Sequence, residues 1–194
     1  ETEALTSEQL AEFLDKTRDL SIWPVIYAIS QTGMRRSEAT GLMWSDVDTE
    51  GLVVHIRRHA VTSSAGRVTV EKGAKTDAGV RDIPITAEFA NWLVLRRKSA
   101  TSVFVFPNRK GGCYSAGVLT SAWYTAAKRV DFPVRPHQLR HTYITTLFEA
   151  GLDIKEIQTI VGHADPTVTL GTYTHYREAQ RSESTAKKVR EAIV

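Results

Sequence analysis

The chain has 194 residues, 42% of them hydrophobic and 24% charged, a balance that excludes extensive disorder and leaves enough apolar mass for one domain with a buried core. No run of about 18 apolar residues occurs, and the opening ETEALTSEQL lacks the basic and apolar segments of a signal peptide, so a soluble, cytoplasmic protein without a membrane partner is expected. The lone Cys113 cannot form an internal disulfide, and the net charge of +3 is too small to identify a partner by itself.

In chain order, Thr6 with Gln9 three residues on forms a capping box, and Leu10, Phe13 and Leu14 recur at helical spacing, so a helix starts near Ser7. The apolar run Ile22 to Ile29 predicts a buried helix continuing to Gly33, and residues 38–43 a further short one. From Leu52 to Ile85 the pattern turns to β: LVVHIRR, RVTVEK and VRDIPI are rich in Val and Ile, with breaks at Gly66 and Ala78-Gly79, which predicts a three-stranded antiparallel sheet. Helical patterns return over 87–98, 116–129, 138–149, 154–161 and 177–192, and the short VFVF segment at 103–106 reads as extended. The expected fold class is α+β: mainly α with one small antiparallel sheet, forming a single unit without internal repeats.

Basic pairs and triplets recur along the chain at Arg57-Arg58, Arg96-Arg97-Lys98, Arg109-Lys110, Lys128-Arg129 and Lys187-Lys188, as a surface that follows a phosphate backbone requires. Cleaving a phosphodiester without a metal needs cations on the non-bridging oxygens, a nucleophile, and an acid for the departing alkoxide. Arg35 follows Gly33 near the start of a predicted helix, and its planar fork matches two phosphate oxygens. In Pro136-His137-Gln138-Leu139-Arg140-His141 the proline suits a first helical turn, placing His137, Arg140 and His141 three or four residues apart on one face, where three donors converge on an anion. The i, i+4 spacing of His137 and His141 is also zinc-ligand spacing, although no cysteine pair or further His-Glu partner accompanies it. Downstream, Gly162-His163 closes an apolar helix, and Tyr173 lies ten residues after His163; as a nucleophile its phenol needs nearby cations and a proton acceptor.

The order Gly-x-Arg-x-x-Glu at 33–38, a hairpin lysine, His-x-x-Arg-His at 137–141, Gly-His at 162–163 and Tyr-Thr-His at 173–175 resembles the tyrosine recombinases, especially the integrases of phages and conjugative transposons. The resemblance spans Leu5 to about Arg181. It implies the catalytic fold of the DNA breaking-rejoining enzymes and, for Arg35, Lys75, His137, Arg140, His163 and Tyr173, the catalytic positions, with Lys72 the competitor to Lys75 and Tyr176 to Tyr173. It further implies double-stranded DNA as partner, a homotetramer on that DNA, accessory DNA-bending or directionality proteins, and no cofactor or metal. On this resemblance the whole of 1–194 is expected to correspond to the family's catalytic domain, with the separate core-binding domain expected to be absent from this chain and residues 180–194 expected to pack on a neighbouring protomer or on their own domain. Three rival functions stay open at this level. They are a helix-turn-helix DNA-binding module formed by Phe148 to His163, a type IB topoisomerase, and a zinc hydrolase built on His137 and His141.

Overall fold

A computed structural model describes residues 3–73 and 79–162. Its helices are α1 (Ser7–Lys16), α2 (Trp23–Thr32), α3 (Arg36–Gly41), α4 (Ala87–Lys98), α5 (Ala116–Ala127), α6 (Pro136–Glu149) and α7 (Ile154–Val161). Its strands are β1 (Val47–Asp48), β2 (Val53–Ile56), β3 (Arg58–Thr62), β4 (Val68–Lys72) and β5 (Arg81–Pro84). The predicted helix over 177–192 lies outside the described residues.

Local signals set most of these boundaries. Thr6 Oγ1 accepts from the Gln9 amide at 3.2 Å while the Gln9 side chain accepts from the Thr6 amide at 3.0 Å, closing the box that starts α1. Helix α2 carries Pro24 in its first turn and stops at Gly33, whose φ of 61° is left-handed. It is buried through Val25, Ile26, Ala28 and Ile29, the centre of a core that also takes Phe13 from α1, Phe89 and Leu93 from α4, Trp123 from α5 and Leu139 from α6. Trp123 satisfies its buried indole by donating to the Val134 carbonyl at 3.1 Å. A smaller cluster of Ile144, Phe148, Ile157 and Val161 joins α6 to α7.

The three-stranded antiparallel sheet is present, in the order β1-β2-β5, with Val54 facing Ile83 and Ile56 facing Arg81. Its third strand is Val47–Asp48 rather than the RVTVEK segment, which forms a separate two-stranded sheet with Arg58–Thr62. The physical cause is a break at Arg57, between β2 and β3. Before it, Val54 and Ile56 bury under the helices. After it, the strand pairs with β4 and is only half-buried. The VFVF segment forms no strand; it bends around one antiparallel bridge from Phe104 to Met43, with Trp44 donating to the Val103 carbonyl at 3.0 Å and Val105 to the Leu42 carbonyl at 2.9 Å.

Two contacts place the elements that matter below. Helix α3 lies on β3 with Gly41 against the strand, where an added Cβ would sit 2.8 Å from the Ala60 nitrogen. The first described residues run along α6: the Leu5 amide donates to Thr142 Oγ1 at 2.9 Å, and the Gln138 amide group donates to the Glu3 carbonyl at 2.8 Å. Backbone cannot yield as a flexible side chain does, so Gly41→Ala is expected to destabilise the domain by about 1–3 kcal/mol. The measurement is a urea titration, in which the midpoint falls while the slope stays unchanged.

Candidate functional site

Arg35 precedes α3 in an extended conformation, φ −69° and ψ 153°. Glu38, in the first turn, reaches back to accept from the Arg35 amide at 2.7 Å and from Arg35 Nη1 at 2.7 Å. From the adjoining sheet, Arg81 grips the same carboxylate with both Nη atoms, at 3.0 and 2.8 Å. Both side chains of that second pair are deeply buried, 3% exposed for Arg81 and 4% for Glu38. Burial alone would raise the Glu38 pKa. The Arg81 fork, the Arg35 amide and the Arg35 charge outweigh it and hold the carboxyl at about 2.

Arg140 enters from α6. It is buried, and its two Nη atoms each donate at 2.5 Å, one to the Gly33 carbonyl that ends α2 and one to the Val161 carbonyl at the end of α7. Gly33 is required twice over: its backbone is left-handed, and a Cβ there would collide with the Tyr143 ring on α6. Burial, together with repulsion from Arg35 and Arg81, lowers the Arg140 pKa to about 9 against the opposing pull of Glu38.

Helix α7 supplies what these arginines share. The last carbonyls of a helix have no donor within the helix itself, and three consecutive ones here, at Ile160, Val161 and Gly162, accept from three arginines. Ile160 accepts from Arg81 Nε at 2.8 Å, Val161 from Arg140 at 2.5 Å, and Gly162 from Arg35 Nη2 at 2.7 Å. The negative end of the helix dipole adds to the attraction. Among the described residues, Arg35, Arg81 and Arg140 bring three positive charges against the one negative charge of Glu38, a surplus of two. A surplus of this sign attracts anions.

His137 lies in the first turn of α6, directly after Pro136, and is exposed at the domain surface. Partial desolvation of its ring, then the charges of Arg36, Arg140 and Arg35, lower its pKa below the ordinary histidine value, which favours the neutral imidazole. His141, one turn further on, is partly buried. The structure thus brings Arg35, His137 and Arg140 together. Lys75, His163 and Tyr173, and with them Tyr176, lie outside the described residues, whereas Lys72 is an exposed residue at the end of β4. The segment that contains Lys75 is flanked by held backbone: the Gly73 carbonyl sits 3.0 Å from His59 Nδ1 and the Gly79 carbonyl accepts from Arg81 at 3.0 Å.

Sequence reasoning assigned no task to Glu38 or Arg81. The available signal was a charged residue at the inward register of an alternating strand, since Arg81 is buried together with Ile83 while Asp82 and Pro84 are exposed. Two of the basic clusters are not wholly surface features either. Arg58 is turned inward to Asp46 at 2.8 Å, and Arg96 lies over the rings of Trp92 and Phe106 while donating to the Val105 carbonyl.

The arrangement of helices around small antiparallel sheets is shared with solved recombinase and integrase structures. The DNA-bound integrase of transposon Tn1549 superposes with a TM-score of 0.79 at 23% identity, over 94% of this chain and 66% of that one. The family model described as "Phage integrase family" matches residues 3–180, and the chain belongs to that family. Among its relatives, a "Tyrosine recombinase XerC-like" protein of Caldanaerobacter subterraneus subsp. tengcongensis is 26% identical, over 95% of this chain and 53% of that protein. The "Transposase from transposon Tn916" of Enterococcus faecalis is 31% identical, over 88% and 47% respectively. The chain therefore spans about half the length of the curated relatives it matches.

The Glu38 pKa gives a pH dependence with a definite sign. Because the folded value, about 2, lies below the ordinary 4.5, the group contributes stability that is fully present above pH 4.5 and is lost as the pH falls through 2. Glu38→Gln leaves two guanidiniums uncompensated and is expected to cost about 3–5 kcal/mol at neutral pH. In acid titrations followed by circular dichroism, the loss of stability below pH 4.5 should be shallower in this variant than in the unchanged protein.

Proposed function

We propose that this chain is the catalytic domain of a tyrosine site-specific recombinase that integrates or excises mobile DNA, acting without a metal through a 3′-phosphotyrosyl intermediate. The observation that carries the reading is the surplus of positive charge where Arg35 and Arg140 meet over the end of α7. Among the described residues each of these arginines engages two of its five N–H groups, which leaves three apiece to receive phosphate oxygens. Membership of the phage integrase family supports the same assignment.

In the proposed reaction Tyr173 Oη attacks the scissile phosphorus, the bond to the 5′-oxygen breaks, and a 3′-phosphotyrosine forms. Arg35 and Arg140 clamp the two non-bridging oxygens and His163 donates a further hydrogen bond. A neutral His137 assists removal of the phenolic proton, and Lys75 donates a proton to the leaving 5′-oxygen, which departs as a hydroxyl. Rejoining reverses these steps with a different 5′-hydroxyl. The partner is double-stranded DNA, bound as a homotetramer with accessory DNA-bending or directionality proteins, in the cytoplasm of a bacterial host. A freestanding helix-turn-helix reader fits less well, because the carbonyl end of its second helix, α7, is taken up by the arginines. A type IB topoisomerase would use the same chemistry, and supercoil relaxation without strand exchange would identify it.

The test is covalent capture on a nicked, labelled duplex carrying the target site. Tyr173→Phe should abolish the denaturation-resistant adduct while Tyr176→Phe keeps it. Arg35→Ala or Arg140→Ala should slow cleavage roughly 100-fold or more, since positioned cations of this kind contribute a few kcal/mol each to the transition state. EDTA should have no effect. An adduct formed by Tyr173→Phe, or cleavage that EDTA abolishes and zinc restores, would refute the mechanism.

The role of Lys75 has its own assay. A bridging 5′-sulfur leaves as a thiolate of low basicity and needs no proton, so Lys75→Ala should cut normal DNA very slowly yet cut the sulfur-substituted strand at close to the parent rate. Lys72→Ala should match the parent on both. Equal impairment of Lys75→Ala on the two substrates would reduce the lysine to a phosphate contact.

A further inference from the structure

We infer that Arg81 is a positioning residue of the cleavage reaction: it sets the direction of the Arg35 guanidinium without itself touching DNA. The inference rests on the reading of the site as a phosphodiester-cleaving one.

Arg81 is as buried as Arg140, each 6% exposed, and two other features separate it from Arg35 and Arg140. Four of its five N–H groups are already engaged: Nε on Ile160, Nη1 on both Glu38 Oε1 and the Gly79 carbonyl, and Nη2 on Glu38 Oε2. And both partners that orient Arg35 are partners, or chain neighbours of partners, of Arg81. Arg35 Nη1 rests on the Glu38 oxygen that Arg81 also holds, while Arg35 Nη2 rests on Gly162, two residues beyond the Ile160 carbonyl that Arg81 pins. Arg81 therefore fixes the carboxylate and the helix end between which the Arg35 fork is stretched. A buried pair that served only stability would leave this second link unused.

Lysine in place of Arg81 keeps the charge but cannot span two carboxylate oxygens and a carbonyl at once. Arg81→Lys is expected to bind the nicked duplex within about 2-fold of the parent and with an unchanged salt slope, because no phosphate contact is lost. Cleavage of the bound duplex should fall about 100-fold, the order expected when a catalytic group is displaced by about an ångström. In an Arg35→Ala background the same substitution should change cleavage by less than about 3-fold, since Arg81 acts through Arg35. Parent-like cleavage by Arg81→Lys, a reduced salt slope, or effects that multiply in the double variant would each overturn the inference. Should Arg81→Lys melt too early to assay, Arg81→Gln, which keeps hydrogen bonding without charge, is carried through the same cycle and judged by the same outcomes. A readout without DNA separates this inference from the function it rests on. The 15Nε signal of Arg35 should show restricted guanidinium rotation in the parent and lose that restriction in Arg81→Lys. An unchanged signal refutes the positioning role even if the protein cuts no DNA, whereas an altered signal in a protein that forms no adduct refutes only the proposed reaction.

Discussion

Helix α7 ends in carbonyl groups that its own helical hydrogen bonding does not satisfy, and three arginines donate to them. Each side of the bargain requires the other. Guanidiniums as buried as Arg81 and Arg140 need acceptors on several sides, and a helix terminus offers acceptors carrying partial negative charge without the full countercharge that would cancel them. Had carboxylates filled the same positions, the site would be neutral and indifferent to phosphate. Glu38 is the one exception, and it serves two arginines at once.

This arrangement makes distant parts of the chain depend on one another. Arg35 comes from the residue that precedes α3, Arg81 from β5 and Arg140 from α6, yet all three are referenced to the same short stretch at the end of α7. The packing that holds α7 in place, Ile157 and Val161 against Ile144 and Phe148, thus also sets where the three arginines meet, even though no polar group is involved. The lowered pKa of Arg140 reflects its burial first and the nearby charges of Arg35 and Arg81 after it, against the opposing pull of Glu38.

What the sequence revealed followed the range of the forces concerned. Thr6 with Gln9, and Gly33 and Gly162 past helix ends, are local signals, and the corresponding elements lie where the pattern puts them. The nearness of Arg35 and Arg140 was legible only through the family resemblance, since nothing in the spacing of two arginines so far apart brings them together. The division of the β region into two sheets was hidden because strand propensity does not say which strand pairs with which, and the two-residue β1 is too short to carry a pattern. Arg81 was hidden for a related reason: its partner Glu38 lies 43 positions away, and a lone arginine between strand-forming residues looks like an exposed charge until its neighbours are known. Arg58 and Arg96 misled in the same way, with their aliphatic stems and forks turned inward.

The hydrogen bonds from residues 3–5 onto α6 have a mechanical meaning. Within one stretch of this helix, His137 and Arg140 face the anion site while Gln138 and Thr142 hold the incoming chain. An α-helix of fourteen residues is a stiff rod over that distance, so its two sides cannot move independently. A displacement of residues 3–5 that moves this helix would therefore move Arg140 with it, because the two sets of hydrogen bonds lie on opposite sides of one rod.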